Sequence, residues 1–240
     1  TPDARGQSVM GLKHAPIERV RVALLGLGMR GYGQLQVLSN VPNEKFDIVA
    51  LCDIRDAETE KAASYARRKG FKPASYSGSA AAWQEMLKRD DIDLVSISTP
   101  REDHVSMSVY AMQHGVHVAV EVPAAYTLDD CWALVNTAEE TQRNCMMLEN
   151  VCYGEEEMWM LNMVANGVFG ELTYAEAGYI HQLRELLFST DGYYQQWRLK
   201  HHKQYGGNLD PTHGLGPVAQ YMDIHRGDTF DYLVSMSSIE

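Results

Sequence analysis

The chain has 240 residues, a formal net charge of −11 at pH 7 and 45% hydrophobic residues. This composition is typical of a globular protein with a buried core, not of a disordered, collagen-like or disulfide-stapled chain. The acidic balance argues against nucleic acid as a partner, because phosphate binding needs clustered Lys and Arg, and no apolar run approaches the roughly 20 residues of a membrane span.

Two sequence patterns alternate over the first 150 residues, after a polar lead-in at residues 1–18 that is expected to be flexible. Short apolar runs are the predicted strands: Val20–Leu25, Phe46–Cys52, Asp93–Ser98, His117–Val122 and Asn144–Leu148. Stretches rich in Ala, Glu, Lys, Leu and Gln are the predicted helices: Asp56–Lys69, Ala80–Arg89, His104–His114 and Leu128–Thr141. Residues 19–150 are therefore predicted to form an α/β domain, a Rossmann doubly wound parallel sheet with both faces covered.

The pattern changes after Asn150. The predicted elements are a helix at Tyr153–Asn166, a strand at Leu172–His181, an irregular segment at Gln182–Gly207, a helix from Asp210 to about His225 and a strand at Phe230–Ile239. Two strands and two helices are too few for a second sheet domain. Residues 151–240 are therefore predicted to be the first part of an incomplete α+β substrate and dimerisation domain.

A glycine motif ends the first predicted strand. The sequence GLGMRG places Gly26, Gly28 and Gly31 in the spacing G-x-G-x-x-G, directly before a predicted helix. The glycines permit a tight turn, a close approach to a pyrophosphate and close helix packing, and the helix N-terminus supplies N–H donors. Asp53 ends the second strand roughly 20 residues later, where a carboxylate binds a ribose 2′-hydroxyl. We predict NAD rather than NADP, and Arg55 is the main feature that favours a 2′-phosphate instead.

Polar residues also follow the later predicted strands. Three pairs close these strands: Thr99 with His104, Glu121 with Val122, and Glu149 with Asn150. Since open α/β sheets bind ligands at the carboxyl ends of their strands, these residues are candidates for one site. The alternative for each is a turn or a helix cap, and Glu121 is alternatively a solvated loop acid.

Three motifs resemble the glucose–fructose oxidoreductase and inositol dehydrogenase superfamily. They are GLGMRG, the sequence STP-x-x-x-H that ends at His104, and the sequence E-x-P that begins at Glu121. Most such oxidoreductases carry Lys between the Glu and the Pro, where it assists proton transfer. This chain has Val122 there, which argues against an ordinary sugar dehydrogenase.

The second half of the chain resembles glycoside hydrolase family 109, the NAD-dependent α-N-acetylgalactosaminidase family, which tolerates Val at that position. The matching sequences are LENVCY, LNMV, FGEL, GYIH, WR and PTHGLGP. ENVCY and PTHGLGP are specific for this family, whereas G-x-G-x-x-G occurs in many dinucleotide-binding proteins. The resemblance covers the chain from about residue 19, and members of the family are considerably longer.

The resemblance implies a retaining glycosidase that oxidises the sugar C3 hydroxyl with NAD⁺, loses the C2 proton, expels the C1 substituent, adds water and reduces C3 again. Besides the motif residues Gly26, Gly28, Gly31 and Thr99, the residues expected at NAD are Met29, Arg30, Asp53, Arg101, His104, Glu121, Val122 and Asn150. Those expected at the sugar are Tyr179, Arg198, Asp210, Thr212 and His213. His181 joins them because it shares a strand face with Tyr179.

His213 is the preferred proton-transferring residue, because histidine exchanges protons near neutral pH, and Tyr179 is the second catalytic candidate. The alternatives are a buried structural histidine, aromatic packing by Tyr179 and a surface ion pair of Arg198. The family has the sequence Y-P-T-H where this chain has D-P-T-H, so Asp210 replaces the tyrosine. The alternative to a sugar contact for Asp210 is that it starts a helix as its N-cap. Arg101 also stands where relatives tend to carry an aromatic residue.

The expected substrate is a glycan or glycoside with terminal α-linked N-acetylgalactosamine. An NAD-dependent sugar oxidoreductase and a catalytically impaired homologue that binds NAD and sugar stay open as alternatives. His201, His202 and His213 are the histidines considered as metal ligands. No metal site is predicted from them, because adjacent histidines such as His201 and His202 are not a typical ligand spacing. A bacterial periplasmic or secreted location is expected from relatives, with the cytoplasm as the alternative, and a homodimer is considered because such two-domain proteins often dimerise.

Overall fold

The computed structural model describes residues 6–42 and 44–237. The chain divides into two compact units, Thr1–Leu148 and Glu149–Glu240. The two units differ in architecture.

The N-terminal unit is built on a six-stranded sheet with the order β3-β2-β1-β4-β5-β6. Its strands are β1 Val20–Leu25, β2 Phe46–Cys52, β3 Ala74–Tyr76, β4 Leu94–Ile97, β5 His117–Glu121 and β6 Cys145–Leu148. Each neighbouring pair is parallel. The order reverses between β1 and β4, as it does in the doubly wound Rossmann fold. The α/β fold class predicted for this part of the chain is confirmed.

Helices cover both faces of this sheet. They are α1 Met29–Leu38, α2 Asp56–Arg68, α3 Ala82–Leu87, α4 His104–Gln113 and α5 Leu128–Thr141. Ala23 and Leu25 pack into one apolar cluster, whereas Val22 and Leu24 pack into another. Successive side chains of a strand point to opposite faces, so a continuous apolar run is what a strand with two covered faces requires.

Two features of this unit differ from the sequence prediction or extend it. The edge strand β3 was not predicted, because its three residues are largely exposed and form no apolar run. The predicted lead-in contains neither helix nor strand over residues 6–18. Its residues 1–5 lie outside the described residues.

The C-terminal unit is helical in the part that the structure describes. A 3₁₀ turn at Asn150–Tyr153 is followed by α6 Glu155–Ala165, α7 Arg184–Phe188, α8 Trp197–Gln204 and α9 Thr212–Tyr221. Helix α9 packs against the 3₁₀ turn and against α6. This packing places the start of α9 beside the residues that precede the turn.

Both strand predictions for the C-terminal unit are wrong over the described residues. No strand is assigned to Leu172–His181 or to residues 230–237, and residues 238 and 239 of the second predicted strand lie outside the description. A strand needs a hydrogen-bonded neighbour, and no strand is assigned within residues 149–237 to provide one. The segment predicted to be irregular, Gln182–Gly207, contains α7 and α8. Of the predicted α+β composition, the described residues therefore show the helices alone.

Across residues 6–42 and 44–237, none of the helices combines the length and the apolar character needed to cross a membrane.

Candidate active site

Two of the three motif glycines are required by packing within the N-terminal unit. Gly26 follows β1 with a φ of +84°, and a Cβ atom there would lie 2.7 Å from the backbone of Ser98. A Cβ atom on Gly31 would overlap the carbonyl oxygen of Gly26. These glycines bring the end of β1, the start of α1 and the end of β4 together, at the point where the strand order reverses.

Gly28 is the middle glycine of the motif, and no packing contact among the described residues requires a glycine at this position. Its φ of −65° suits any residue, and a Cβ atom would meet only Nη2 of Arg55, at 3.4 Å. Helix α1 then begins at Met29, which is 64% exposed, with no side-chain cap and no acidic residue in its first turn. A pyrophosphate that approaches this helix N-terminus accounts for the glycine. The loop therefore fits a dinucleotide.

Asp53 follows β2 beside this loop and is 6% exposed. Its Oδ2 accepts the backbone N–H of Leu27 at 2.7 Å. Its Oδ1 accepts the backbone N–H and the Nε–H of Arg55 at 2.9 and 3.2 Å. Each carboxylate oxygen has two lone pairs, so Asp53 retains capacity to accept a ribose hydroxyl while its charge opposes a 2′-phosphate.

Replacing Asp53 by alanine is expected to raise affinity for NADPH relative to NADH by about tenfold or more, because it removes the carboxylate that opposes a 2′-phosphate and leaves Arg55 with the longer contact to Glu58, at 3.5 Å, from which the guanidinium can turn to the phosphate. Fluorescence titration with both reduced cofactors measures the ratio. The double variant Asp53→Ala/Arg55→Ala is the control and should lose the gain. An unchanged ratio in Asp53→Ala would contradict the role assigned to the carboxylate.

The acid after β5 is held by a network across the carboxyl edge of the sheet. Glu121, 7% exposed, accepts from Nε of Arg30 at 2.6 Å and from Nε2 of Gln34 at 2.5 Å. The side-chain oxygen of Gln34 accepts from the hydroxyls of Ser96 and Ser98 at 2.6 and 2.9 Å. Glu121 is therefore not a solvated loop acid. The sequence analysis did not single out Gln34. The feature of the sequence that could have indicated its role is its position one helical turn after Gly31 on α1.

His104, which the resemblance assigns to NAD contact, is a buried bridge between two loops. It is 1% exposed, and its ring nitrogens lie 2.9 Å from the carbonyl oxygen of Pro123 and 3.1 Å from that of Thr99. The His104 side chain is therefore too buried to contact a ligand directly. It fixes the backbone after β4 relative to that after β5. Two other assigned residues, Arg101 and Val122, are also buried, at 4% and 9% exposure.

We expect acid to destabilise the N-terminal unit through His104. Burial lowers the pKa of His104 below its ordinary value of 6.5, although contacts with two carbonyl oxygens raise it. Since the unfolded chain then binds the proton more tightly, the stability contribution is complete above pH 6.5 and is lost as the pH falls through the folded pKa. The pKa of His117 is also lowered by burial and adds a loss of the same sign.

Thermal unfolding between pH 7.5 and pH 5.5 measures this loss. His104→Gln should show a smaller drop in midpoint than the wild type. Exposed His114 provides the matched control, and His114→Gln should retain the wild-type drop. An equal drop in wild type and His104→Gln would refute the linkage.

In the C-terminal unit, the structure joins His213 to a buried acid. His213 is the second residue of α9, and its Nδ1 lies 2.7 Å from Oε1 of Glu149. Glu149 is 4% exposed, and the same oxygen accepts the N–H of Val151 at 3.1 Å. The sequence indicated Glu149 only as a strand-end acid. Nothing in the sequence indicated that Glu149 would pair with a residue 64 positions away.

Tyr179 packs against the same histidine. The ring centroids of Tyr179 and His213 are 4.6 Å apart, and the hydroxyl of Tyr179 lies 2.8 Å from Nδ1 of His181. A cavity of about 320 Å³ adjoins Tyr179, with Ala175 and Ala177 on the same wall. These three alternate residues share a face, as in extended backbone. The cavity is also lined by Pro211 and by three residues of α9: Gly214, Leu215 and Val218.

Asp210 forms an ion pair and does not cap α9. Its Oδ2 accepts from Nη2 of Arg198 at 2.7 Å, with side chains 7% and 12% exposed respectively. Helix α9 instead begins at Thr212 with Pro211 at its N-cap and no side-chain cap. The N-cap alternative for Asp210 and the surface-pair alternative for Arg198 are both wrong. Asn150, also assigned to NAD by the resemblance, is exposed at the start of the 3₁₀ turn.

Within the described part of the chain, no cluster of three or more His, Cys, Asp or Glu side chains is arranged to hold a metal ion.

Two protein-family models match the chain. The model described as an oxidoreductase family with an NAD-binding Rossmann fold matches residues 20–149. The model described as the C-terminal domain of glycosyl hydrolase 109 matches residues 153–240.

Curated relatives cover nearly the whole chain. A glycosyl hydrolase family 109 protein of Shewanella pealeana is 49% identical over 98% of this chain and 51% of its own length. A protein of Shewanella oneidensis named alpha-N-acetylgalactosaminidase is 48% identical over 97% of this chain and 50% of its own length. The chain spans about half the length of the curated relatives it matches.

Among solved structures, myo-inositol 2-dehydrogenase from Lactobacillus plantarum superposes with a TM-score of 0.67. The match is 18% identical and covers 85% of this chain and 57% of that one. At this identity the likeness concerns the fold alone.

Proposed function

This chain belongs to glycosyl hydrolase family 109 and, through its NAD-binding Rossmann fold, to the oxidoreductase family, and we propose that it hydrolyses terminal α-linked N-acetylgalactosamine with retention of configuration. The observation that carries the proposal is His213, a histidine held by a buried carboxylate at the start of α9. A glycosidase that works by direct displacement uses a pair of carboxylic acids at the sugar, whereas NAD-dependent glycosidases are an exception to that rule.

The glycine loop would hold the cofactor. The N–H groups at the start of α1 receive the pyrophosphate, and Asp53 receives a ribose hydroxyl. When bound, NAD⁺ supplies a reversible acceptor for the hydride of sugar C3, and a ketone at C3 acidifies the neighbouring C2 proton. The network of Arg30, Gln34 and Glu121 keeps the carboxyl edge of the sheet in place.

His213 would move the C2 proton. Its Nδ1 is engaged by Glu149, so Nε2 is the atom that accepts the proton. The electron pair left at C2 forms the C1–C2 double bond, the C1–O bond breaks, and the aglycone oxygen leaves with that bond's electron pair. Tyr179 donates a proton to the leaving oxygen through its hydroxyl. Water then adds at C1 and gives its remaining proton to the Tyr179 phenolate, His213 returns a proton to C2, and the hydride that bound NAD would have taken from C3 would be returned to reduce the ketone.

The surroundings of Tyr179 suit an N-acetylated sugar. The cavity offers apolar contact from Ala177, Leu215 and Val218, with Asn208 as a polar lining residue. An acetamido group has a methyl group and an amide, which match these two kinds of lining. The family resemblance also assigns Arg198 and Asp210 to the sugar, and in this chain the two side chains pair with each other at 2.7 Å beside the residues that line the cavity.

Hydrolysis in D₂O by the purified full-length protein, with an aryl α-N-acetylgalactosaminide and NAD⁺, tests the proposal. The released sugar should carry one deuterium at C2 and should appear first as the α-anomer in NMR spectra. Release of sugar without deuterium at C2 would indicate direct displacement and overturn the mechanism. A 3-keto sugar that accumulates without aglycone release would indicate a sugar oxidoreductase. Activity that appears only in Asp210→Tyr would indicate an impaired enzyme.

A further inference from the structure

We propose that Glu149 is a positioning residue, which holds His213 in the tautomer with the proton on Nδ1 and so reserves Nε2 for the substrate proton. The inference deepens the proposed function and rests on it for the reaction in which His213 acts. The tautomer itself is a property of the C-terminal unit alone and is measurable without turnover.

The chemistry of the contact sets the direction of the hydrogen bond. An ionised carboxylate only accepts hydrogen bonds, so at 2.7 Å from Oε1 of Glu149 the Nδ1 atom of His213 must carry a hydrogen. A neutral imidazole has one N–H, which leaves the lone pair on Nε2. The side chains of Glu149 and His213 are 5% and 12% exposed, so water competes little for this bond.

The carboxylate is held in place from two directions. The N–H of Val151 donates to Oε1 at 3.1 Å. On the other side, a Cβ atom on Gly216 would lie 3.0 Å from Cγ of Glu149 and 2.9 Å from Sγ of Cys152. Gly216 lies three residues after His213 on α9, so the two share a helix face. The glycine lets that face approach the carboxylate closely.

The histidine ring is restrained as well. Tyr179 packs against it with 4.6 Å between ring centroids. The ring therefore has an aromatic neighbour and an acid bonded to one nitrogen. A side chain restrained in this way presents Nε2 in one orientation, which is what a proton transfer to carbon requires.

A purely structural role for Glu149 accounts for less of the geometry. As the N-cap of the 3₁₀ turn, Glu149 needs only the bond from Val151. Its second oxygen, Oε2, is buried and has no hydrogen-bond partner among the described residues. A buried acceptor without a partner costs stability, and a shorter polar residue would cap the turn without that cost. A charge opposite His213 explains why a full carboxylate stands there.

The kinetic test is a double-mutant cycle in the full-length protein. Glu149→Gln should lower kcat for an aryl α-N-acetylgalactosaminide by about 100-fold with KM changed less than threefold, because the charge that stabilises the protonated imidazole is lost. In a His213→Gln background, Glu149→Gln should have no further effect on kcat. Equal effects of Glu149→Gln in both backgrounds would overturn the proposal. Glu157→Gln, a change to a half-buried acid of α6, should leave kcat unchanged.

The second test is spectroscopic and needs no substrate. Nitrogen–hydrogen correlation NMR of ¹⁵N-histidine-labelled protein should show His213 with its proton on Nδ1, and Glu149→Ala should shift it towards the Nε2–H tautomer. Glu157→Ala should leave the signal unchanged. A wild-type Nε2–H tautomer, or one indifferent to Glu149→Ala, would overturn the positioning role whatever the activity. The predicted tautomer change in a protein without glycosidase activity would keep the positioning role and refute the proposed function.

Discussion

Replacing His213 by glutamine is expected to lower kcat for an aryl α-N-acetylgalactosaminide by about 10²–10⁴-fold, the range that a general acid–base residue contributes. Glutamine is similar in length and can still hydrogen-bond Glu149, but it cannot take up a proton at neutral pH. The structural cost is therefore smaller than the chemical one. Affinity for NADH should be unchanged, because the substitution alters neither the glycine loop nor the Asp53 contact with it.

Steady-state kinetics and fluorescence titration with NADH separate these effects. His225→Gln is the matched control, since His225 is an exposed histidine of the same unit and should retain wild-type kcat. If His213→Gln kept more than a tenth of the wild-type kcat, another residue would have to be the base.

Replacing Gly31 by alanine is expected to abolish measurable NADH binding and to destabilise the protein by about 1–3 kcal/mol, the typical cost of overpacking. The added Cβ atom would overlap the carbonyl oxygen of Gly26. Either α1 or the loop after β1 has to move, and the N–H groups that face the pyrophosphate move with it.

Gly33 offers a matched control on the same helix. A Cβ atom at Gly33 meets nothing within 4 Å, so Gly33→Ala should keep NADH affinity and raise stability by about 0.5–1 kcal/mol through helix propensity. NADH titration and thermal unfolding measure both variants. Similar behaviour of the two would contradict the packing role of Gly31.

The parts of the fold that follow from local pattern were predictable. Parallel strands with two covered faces produce apolar runs, and the run Val20–Leu25 was predicted with the bounds it has in the structure. The NAD cofactor also followed from sequence, because the glycine spacing reflects local requirements of one turn and one helix. At Gly26 and Gly31 an added Cβ atom would clash with the backbone of the described residues. At Gly28 it would not, so the need for glycine there comes from the approach of a ligand.

Features that depend on how the side chains pack in the folded chain were not predictable from the sequence. His104 follows a strand end and was expected to face a ligand, yet it turns inward to the carbonyl oxygens of Thr99 and Pro123. Asp210 has the local signature of a helix cap, but a buried Arg198 binds its carboxylate. In each case a tertiary contact prevails over the local preference.

The second half of the chain shows the same limit for secondary structure. Tyr179 and His181 were predicted to share a strand face, and the hydroxyl of Tyr179 does lie 2.8 Å from Nδ1 of His181. A strand, however, also needs a hydrogen-bonding neighbour, which residues 149–237 do not provide. The two-residue spacing therefore predicted which two side chains meet, and it did not predict whether a hydrogen-bonded strand forms.

The most direct test of the central claim, an NAD-dependent glycosidase that returns its hydride, follows two products at once. The full-length protein is mixed with an aryl α-N-acetylgalactosaminide and NAD⁺, and aglycone release and NADH absorbance are recorded together. The account predicts many equivalents of aglycone per enzyme with no net NADH. Accumulation of one NADH per sugar oxidised, without aglycone release, would contradict it.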